Sequence, residues 1–340
     1  MAPRADRSTD AHPSERVQTY GGPVAAEELG TTLIHEHIFV RDLELERNVP
    51  GLEWEPAAAV ERAVAGLTAL HALGVSTVVD LTVVGLGRDV RLVSEVAQRS
   101  PVHLVAATGL YVAEALPLHY RFHGPGRLVD EPEPLVDLFV RDIEDGIDGT
   151  AVRAGMIKVT SEGAQLSEAE ERVLTAAAIA HERTGIAITT HSVPHLRNGL
   201  VQLAFLQARG VSPERIIIGH SGDTPDLDYL RALVDSGATI GLDRFGMDHV
   251  QDDRTRLDTT VALLRHGYAD RMVLSHDAAF YSHVTPPSWR AAHAPRWHME
   301  HLQRTIVPEL LERGASEADI DQMLIVNPRS LLATREGDRR

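Results

Sequence analysis

The tripeptide His35-Glu36-His37, at the end of the apolar run Thr31-Thr32-Leu33-Ile34, carries the first chemistry met in this chain. Side chains of an extended segment alternate faces, so residues two apart point the same way. Two imidazoles side by side at a strand end are placed to grip one metal ion. A lone strand-end histidine is ordinarily a packed rim residue, so this pair by itself decides little. The pattern recurs, however. His191 follows Ile188-Thr189-Thr190, His220 follows Ile216-Ile217-Ile218-Gly219, and Asp277 follows Met272-Val273-Leu274-Ser275-His276. Lys158 lies inside a fourth apolar run, Gly155-Met156-Ile157-Lys158-Val159.

The lysine needs its own reason. An ammonium has no lone pair and cannot bind a metal. Among cations in a low-dielectric site its pKa is driven down. The free amine can then add carbon dioxide and become N6-carboxylysine, a bidentate oxygen ligand able to bridge two ions. The set divides accordingly: His35, His37 and Asp277 on one ion, His191 and His220 on the other, carboxylated Lys158 between them. Such a pair, roughly 3.5–4 Å apart, supplies both a nucleophile and a Lewis acid. Asp277 is also placed to accept a proton, so Asp277 and Lys158 are the expected catalytic residues. Zinc suits this donor set, and cobalt, manganese or iron would also be accommodated.

Something must bring six residues from distant segments to one place. Eight short apolar runs alternate with helical stretches: Thr31–Val40, Ser76–Leu81, Val102–Thr108, Gly155–Val159, Ile186–Thr190, Arg215–Ile218, Ala238–Leu242 and Met272–Leu274. The helical patterns between them include Pro56–Leu73, Arg88–Gln98, Leu135–Asp145, Ser167–Arg183, Gly199–Arg209, Asp226–Ser236 and Thr255–His266. Ser167-Glu168-Ala169-Glu170 reads as a capping box. Gly74, Gly185, Gly210, Gly237 and Gly267 follow helical stretches, where a left-handed residue is wanted. Continuous apolar strands separated by helices imply a parallel sheet buried on both faces. Eight of them close a (β/α)8 TIM barrel, whose active sites lie at the C-terminal ends of the strands. All six residues sit at or near that end. An open doubly wound sheet would instead show a glycine-rich phosphate turn after the first strand, where His35-Glu36-His37 stands. Gly85-Leu86-Gly87 lacks the third glycine of a nucleotide fingerprint.

Composition narrows the partners. Thirty-three basic residues against 49 acidic give a net charge of −16, which argues against a nucleic-acid backbone or an anionic membrane surface. With no cysteine and 18 histidines, any metal must be held by nitrogen and oxygen. Residues 1–16 are read as a disordered tail, since they are polar and lack the apolar stretch of a signal peptide. Residues 17–340 are read as one barrel domain. No apolar run approaches membrane-spanning length, so a soluble, cytoplasmic protein is expected. Two connections are long, Val112–Pro134 and Ala278–Trp297. The second holds Phe280, Tyr281, Trp289 and Trp297 in a chain only 4% aromatic. That concentration points to an apolar lid, with Phe280 and Trp289 as substrate contacts.

Taken together the motifs resemble the phosphotriesterase family of the amidohydrolase superfamily. The matching pieces are Thr32-Leu33-Ile34-His35-Glu36-His37, Val79-Asp80-Leu81-Thr82, Gly85-Leu86-Gly87-Arg88-Asp89, Ala107-Thr108-Gly109-Leu110-Tyr111, Ala154-Gly155-Met156-Ile157-Lys158, Thr190-His191, Ile218-Gly219-His220-Ser221, Ile240-Gly241-Leu242-Asp243-Arg244-Phe245-Gly246, Ser275-His276-Asp277 and Asn327-Pro328. They stand in family order over nearly the whole chain. The resemblance implies a barrel, two divalent metals, a carboxylated Lys158 and hydrolysis of an ester-like bond in a homodimer. Tyr111 and Arg244 look like the lactonase branch, where such residues border the substrate carbonyl. The implied activity is opening of lactones such as acyl-homoserine lactones. The alternatives within the same site are an organophosphate triesterase (aryldialkylphosphatase) and a carboxylesterase or amidase. The alternative of another class is a non-catalytic metal-binding sensor barrel, which a lost ligand would betray. Ala278-Ala279-Phe280-Tyr281 departs from the best-known lactonases and bears on chain-length preference.

Overall fold

The computed structural model describes residues 15–112 and 115–334. Residues 1–14 of the expected tail and residues 335–340 lie outside that range. Arg16, placed in the tail by the sequence reading, opens a short strand, β1 (Arg16–Thr19). It pairs antiparallel with β2 (Gly22–Ala25), a hairpin the sequence reading missed. Tyr20 at its turn donates a backbone hydrogen bond to the Leu104 carbonyl, which docks the hairpin under the barrel.

The eight expected strands all form: β3 (Thr31–Val40), β4 (Val75–Asp80), β5 (His103–Gly109), β6 (Ala154–Thr160), β7 (Ile188–His191), β8 (Ile216–Ile218), β9 (Thr239–Leu242) and β10 (Met272–Leu274). They are parallel and paired in chain order. The ring closes beyond the end of β10. The Ser275 hydroxyl accepts the His35 N–H at 2.9 Å, and the Asp277 N–H donates to the His35 carbonyl at 3.1 Å. The chain then continues as β11 (Ala279–Ser282), parallel to the upper half of β3. The segment read as one long loop therefore holds a strand, followed by a short helix, Pro287–His293. A sequence window sees only the four residues Ala279-Phe280-Tyr281-Ser282, a run too short to separate from a loop.

Each strand is apolar on both faces because each face has something to bury. On β6, Ile157 and Val159 join the large cluster between strands and helices, with Leu67, Phe139, Val173 and Leu230 from the helices. Met156 joins Ile34, Val79, Val105, Ile217 and Val273 inside the barrel. Lys158 is two residues beyond Met156, so the pleat directs it inward above that plug. On β3 the alternation is interrupted. Leu33 pairs with Val78 but Glu36 pairs with Asp80, leaving one extra residue on β3. This bulge lets the interior accept Ile34 as well as His35 and His37.

The helices begin and end where their residues demand. Ser167 and Glu170 form the capping box of Glu168–Thr184, and Gly185 ends that helix at φ 71°. Gly109 shows why glycine is needed beside the site. Its φ is 141°, and a Cβ there would lie 1.9 Å from the Lys158 carbonyl oxygen, so the strand carrying the lysine could not approach. Among the described residues no helix is long and apolar enough to cross a membrane.

Candidate metal centre

At the C-terminal mouth of the barrel the six residues converge around one cavity of about 230 Å³. The Lys158 ammonium nitrogen lies 3.1 Å from His35 Nε2. His37 Nε2 and His35 Nε2 lie 3.2 and 3.5 Å from Asp277 Oδ1. His220 Nε2 lies 2.9 Å from His191 Nδ1 and 3.9 Å from Asp277 Oδ2. His35, His37 and Asp277 by themselves form a group able to hold a metal ion.

The outward atoms decide which way the lone pairs point. His35 Nδ1 lies 2.7 Å from Asp243 Oδ2, and His220 Nδ1 lies 2.9 Å from Asp243 Oδ1. His191 Nε2 lies 3.2 Å from Glu162 Oε1. Carboxylates only accept, so these outer nitrogens carry the protons. His37 Nδ1 lies 2.9 Å from the Thr82 hydroxyl, which itself donates to Asp80 at 2.6 Å and so accepts from the ring. Every inward nitrogen is then an unprotonated lone pair directed into the cavity. That is the tautomer state a divalent cation requires, held by partners that fix each ring. Asp243 also lies near enough to His35 and His220 to suggest a ligand group. Its bonds go to their outward nitrogens and to the His220 N–H, so it orients the rings instead. Asp243→Asn should therefore weaken metal binding by about 10–100-fold with little change in fold, as read by metal titration of the metal-free protein.

Electrostatics agree with the geometry. Burial lowers the pKa of His35, His191 and His220, His220 the most, so all three rings are neutral near pH 7. Burial also pulls Lys158 down to about 8, although Asp277 and Asp243 oppose it. Burial alone would raise Asp277. Arg244, His37, His35 and His220 outweigh that and hold the carboxyl well below the usual range. His220 and Asp277 both have left-handed backbones, at φ 61° and 53°. Non-glycine residues adopt that region reluctantly, and it turns both side chains back over the barrel axis.

Arg244 and Tyr111 both reach the cavity. The Arg244 Nε donates to Asp277 Oδ2 at 2.9 Å and its Nη1 to Asp223 Oδ2 at 2.9 Å. The Tyr111 hydroxyl donates to Glu162 at 3.1 Å, and its ring meets the His191 ring edge-on at 5.7 Å. Burial raises the Tyr111 pKa, so the phenol stays protonated.

The aromatic residues of the 278–297 segment are placed differently from expectation. Phe280 does not line the cavity. β11 alternates, so Ala279 faces inward while Phe280 lies against Gly66 of the helix Pro56–Ala72, where a Cβ would meet its ring at 2.2 Å. Trp289 packs on His249 and His293, away from the cavity lining. Trp297 is the segment's aromatic that does line it, pinned by an indole hydrogen bond to the His276 carbonyl at 2.8 Å. His276 itself faces away from the cavity, as expected of a neighbour of Asp277, and lies 2.6 Å from Glu36. Thr82 and Asp243 stand in the matching motifs but were given no role there, and Glu162 was missed. Asp243 immediately precedes Arg244 at the end of a strand, which was the available signal.

Comparison with known proteins agrees with this architecture. The phosphotriesterase family model matches residues 15–332. The chain is 39% identical over 321 residues to the phosphotriesterase homology protein of Mycobacterium tuberculosis (strain ATCC 25618 / H37Rv), covering 94% of this chain and 98% of that protein. It is 35% identical over 312 residues to an aryldialkylphosphatase of Saccharolobus solfataricus, covering 91% and 97%. A solved structure of the phosphotriesterase from Mycobacterium tuberculosis matches with a TM-score of 0.91 at 39% identity, covering 93% of this chain and 98% of that one. The chain belongs to the phosphotriesterase family, and its fold is the α/β barrel expected from the sequence.

Proposed function

We propose that this protein is a metal-dependent hydrolase that opens lactones, with a weaker phosphotriesterase side activity. The observation that carries the reading is the placement of Tyr111 and Arg244 at the edge of the histidine cavity. The tyrosine stands beside His191 and the arginine on Asp277. The aryldialkylphosphatase relative supports the side activity.

The donor set fits two divalent cations, with His35, His37 and Asp277 around one and His191 and His220 around the other. Lys158, once carboxylated, would add oxygen donors between the two groups. Cations held there would polarise the reacting oxygen of the substrate and bring the pKa of water near neutrality. The remaining work falls to side chains. Asp277, kept ionised by Arg244 despite its burial, receives a proton and passes it to the leaving alkoxide. Arg244, anchored by Asp223 as well, offers N–H groups to developing negative charge. Tyr111 remains an O–H donor at neutral pH and orients the acyl group. Val40, Leu86 and Met247 give the cavity apolar walls that exclude water.

The test is a substrate panel on metal-loaded protein: an acyl-homoserine lactone, an aryl ester and paraoxon. The lactone should exceed paraoxon in kcat/KM by at least about 10²-fold. Paraoxon matching or exceeding the lactone would assign the site to organophosphate hydrolysis, and preference for the aryl ester would assign it to carboxylesters.

A further inference from the structure

Two guanidinium groups line the cavity. Arg244 is ion-paired to Asp223 and Asp277. Arg290, on the helix Pro287–His293, meets no carboxylate within ion-pair distance among the described residues. Its Nε donates to the Thr285 hydroxyl at 3.1 Å and its Nη1 to the Ala279 carbonyl at 2.6 Å. Its plane lies over the Trp297 ring, 4.3 Å from the centroid. These contacts fix the fork. Among the described residues Nη2 has no acceptor. The one carboxylate of the cavity lining, Asp277, is bonded to Arg244 and stays outside ion-pair distance of Arg290.

No Arg290 nitrogen is among the buried atoms left without a partner, so the free edge is open to solvent, and an anion that replaced the water there would gain charge-assisted hydrogen bonds. Burial lowers the Arg290 pKa to about 10, against the opposing pull of Asp277 and Glu36, so the group stays charged at neutral pH. If Arg290 served only to hold the segment together, the bonds from Nε and Nη1 would suffice, and nothing would require a charge facing the cavity. A guanidinium is also the side chain whose planar fork matches a carboxylate.

We propose that Arg290 binds a carboxylate on the non-reacting part of the substrate, so that the site prefers acidic acyl compounds over neutral ones of equal size. This rests on the hydrolase reading above and adds a substrate class to it.

The pair of 4-nitrophenyl valerate and mono-4-nitrophenyl glutarate tests it, since the acyl chains are of equal length and differ by the terminal carboxylate. Wild-type protein should prefer the glutarate ester. Arg290→Gln should lower kcat/KM for that ester by about 10–100-fold, mainly through KM, and leave the valerate ester within about twofold. Arg290→Lys, which keeps the charge, should retain part of the preference. Thermal unfolding of each variant checks that the fold is intact, and the lysine variant decides the matter if the glutamine variant does not fold. Equal losses on both esters would overturn the proposal. If neither ester is turned over, aryl esters are not substrates, and the lactonase reading is decided by the lactone panel above. Calorimetric titration of metal-loaded protein with glutarate then decides between the alternatives. Binding at least about tenfold weaker in Arg290→Gln supports the subsite, and equal binding removes it.

Discussion

Lys158→Ala is expected to lower kcat/KM by about 10³-fold or more, which corresponds to ~4 kcal/mol of lost transition-state stabilisation. The side chain is 1% exposed, and its nitrogen lies 3.1 Å from His35 Nε2 in the middle of the imidazole cluster. A simple ammonium there would face neutral rings whose lone pairs it cannot share among several ions. With its pKa drawn down to about 8, part of the amine is free near neutral pH. That lone pair would be available to add carbon dioxide with loss of a proton to solvent, and the resulting carboxylate would supply oxygens to cations held by the two groups of histidines. Alanine leaves no such bridge, so elemental analysis of the variant should give fewer than two metal ions per chain. Full metal content with undiminished activity would remove the bridging role. The pH dependence has a definite sign. Metal-free protein given zinc and bicarbonate should regain activity faster at about pH 8.5 than at about pH 6.5, because acid removes the reactive lone pair. For the unmodified protein, the folded-state pKa lies below the ordinary lysine value of 10.5. The unfolded chain therefore holds the proton more tightly, and stability rises with pH through the window from about 8 to about 10.5.

Asp277→Asn is expected to reduce kcat by about 10²–10⁴-fold while the barrel remains folded, since the amide keeps the shape of the carboxylate. The carboxylate lies within 3.5 Å of both His35 Nε2 and His37 Nε2 and accepts from Arg244 at 2.9 Å. An amide presents one acceptor where two are used, and it cannot take up a proton. Because Asp277 titrates well below the usual carboxylate range, it gives no acid limb to the pH profile of the free protein at mildly acidic pH. The loss should appear across the whole profile and not as a displaced limb. Activity of the asparagine variant within tenfold of wild type would exclude Asp277 as the proton acceptor.

Much of this site was legible from residue types because barrel geometry converts a one-dimensional pattern into a place. Eight apolar runs in regular alternation with helices leave little choice but a closed parallel sheet, whose strands all end on one face. His35, His37, His191 and His220 sit at those ends by position in the chain alone. Lys158 was marked by being a charge inside an otherwise apolar strand. The helix boundaries followed from Ser167, Glu170 and Gly185, whose capping roles are local and depend on no distant partner.

What the chain order could not give was direction and partnership across long separations. The bulge between Leu33 and Glu36, which turns both histidines of β3 into the barrel, depends on pairing with β4. The left-handed backbone at Asp277 stands where the ring closes through Ser275 and His35, about 240 residues apart in sequence, and the one at His220 where its N–H meets Asp243 of the next strand end. Asp243 bridges His35 and His220, and Glu162 joins His191 to Tyr111, because strands distant in the chain are brought together there. The orientation of Phe280 and Trp289 away from the cavity, and of Arg290 and Trp297 towards it, followed from β11 adding to the edge of β3. Composition and spacing thus determined the fold and the candidate metal-ligating residue types. Tertiary structure decided which nitrogen of each ring faces inward and which charge is left without a partner, since both depend on contacts between residues far apart in the chain.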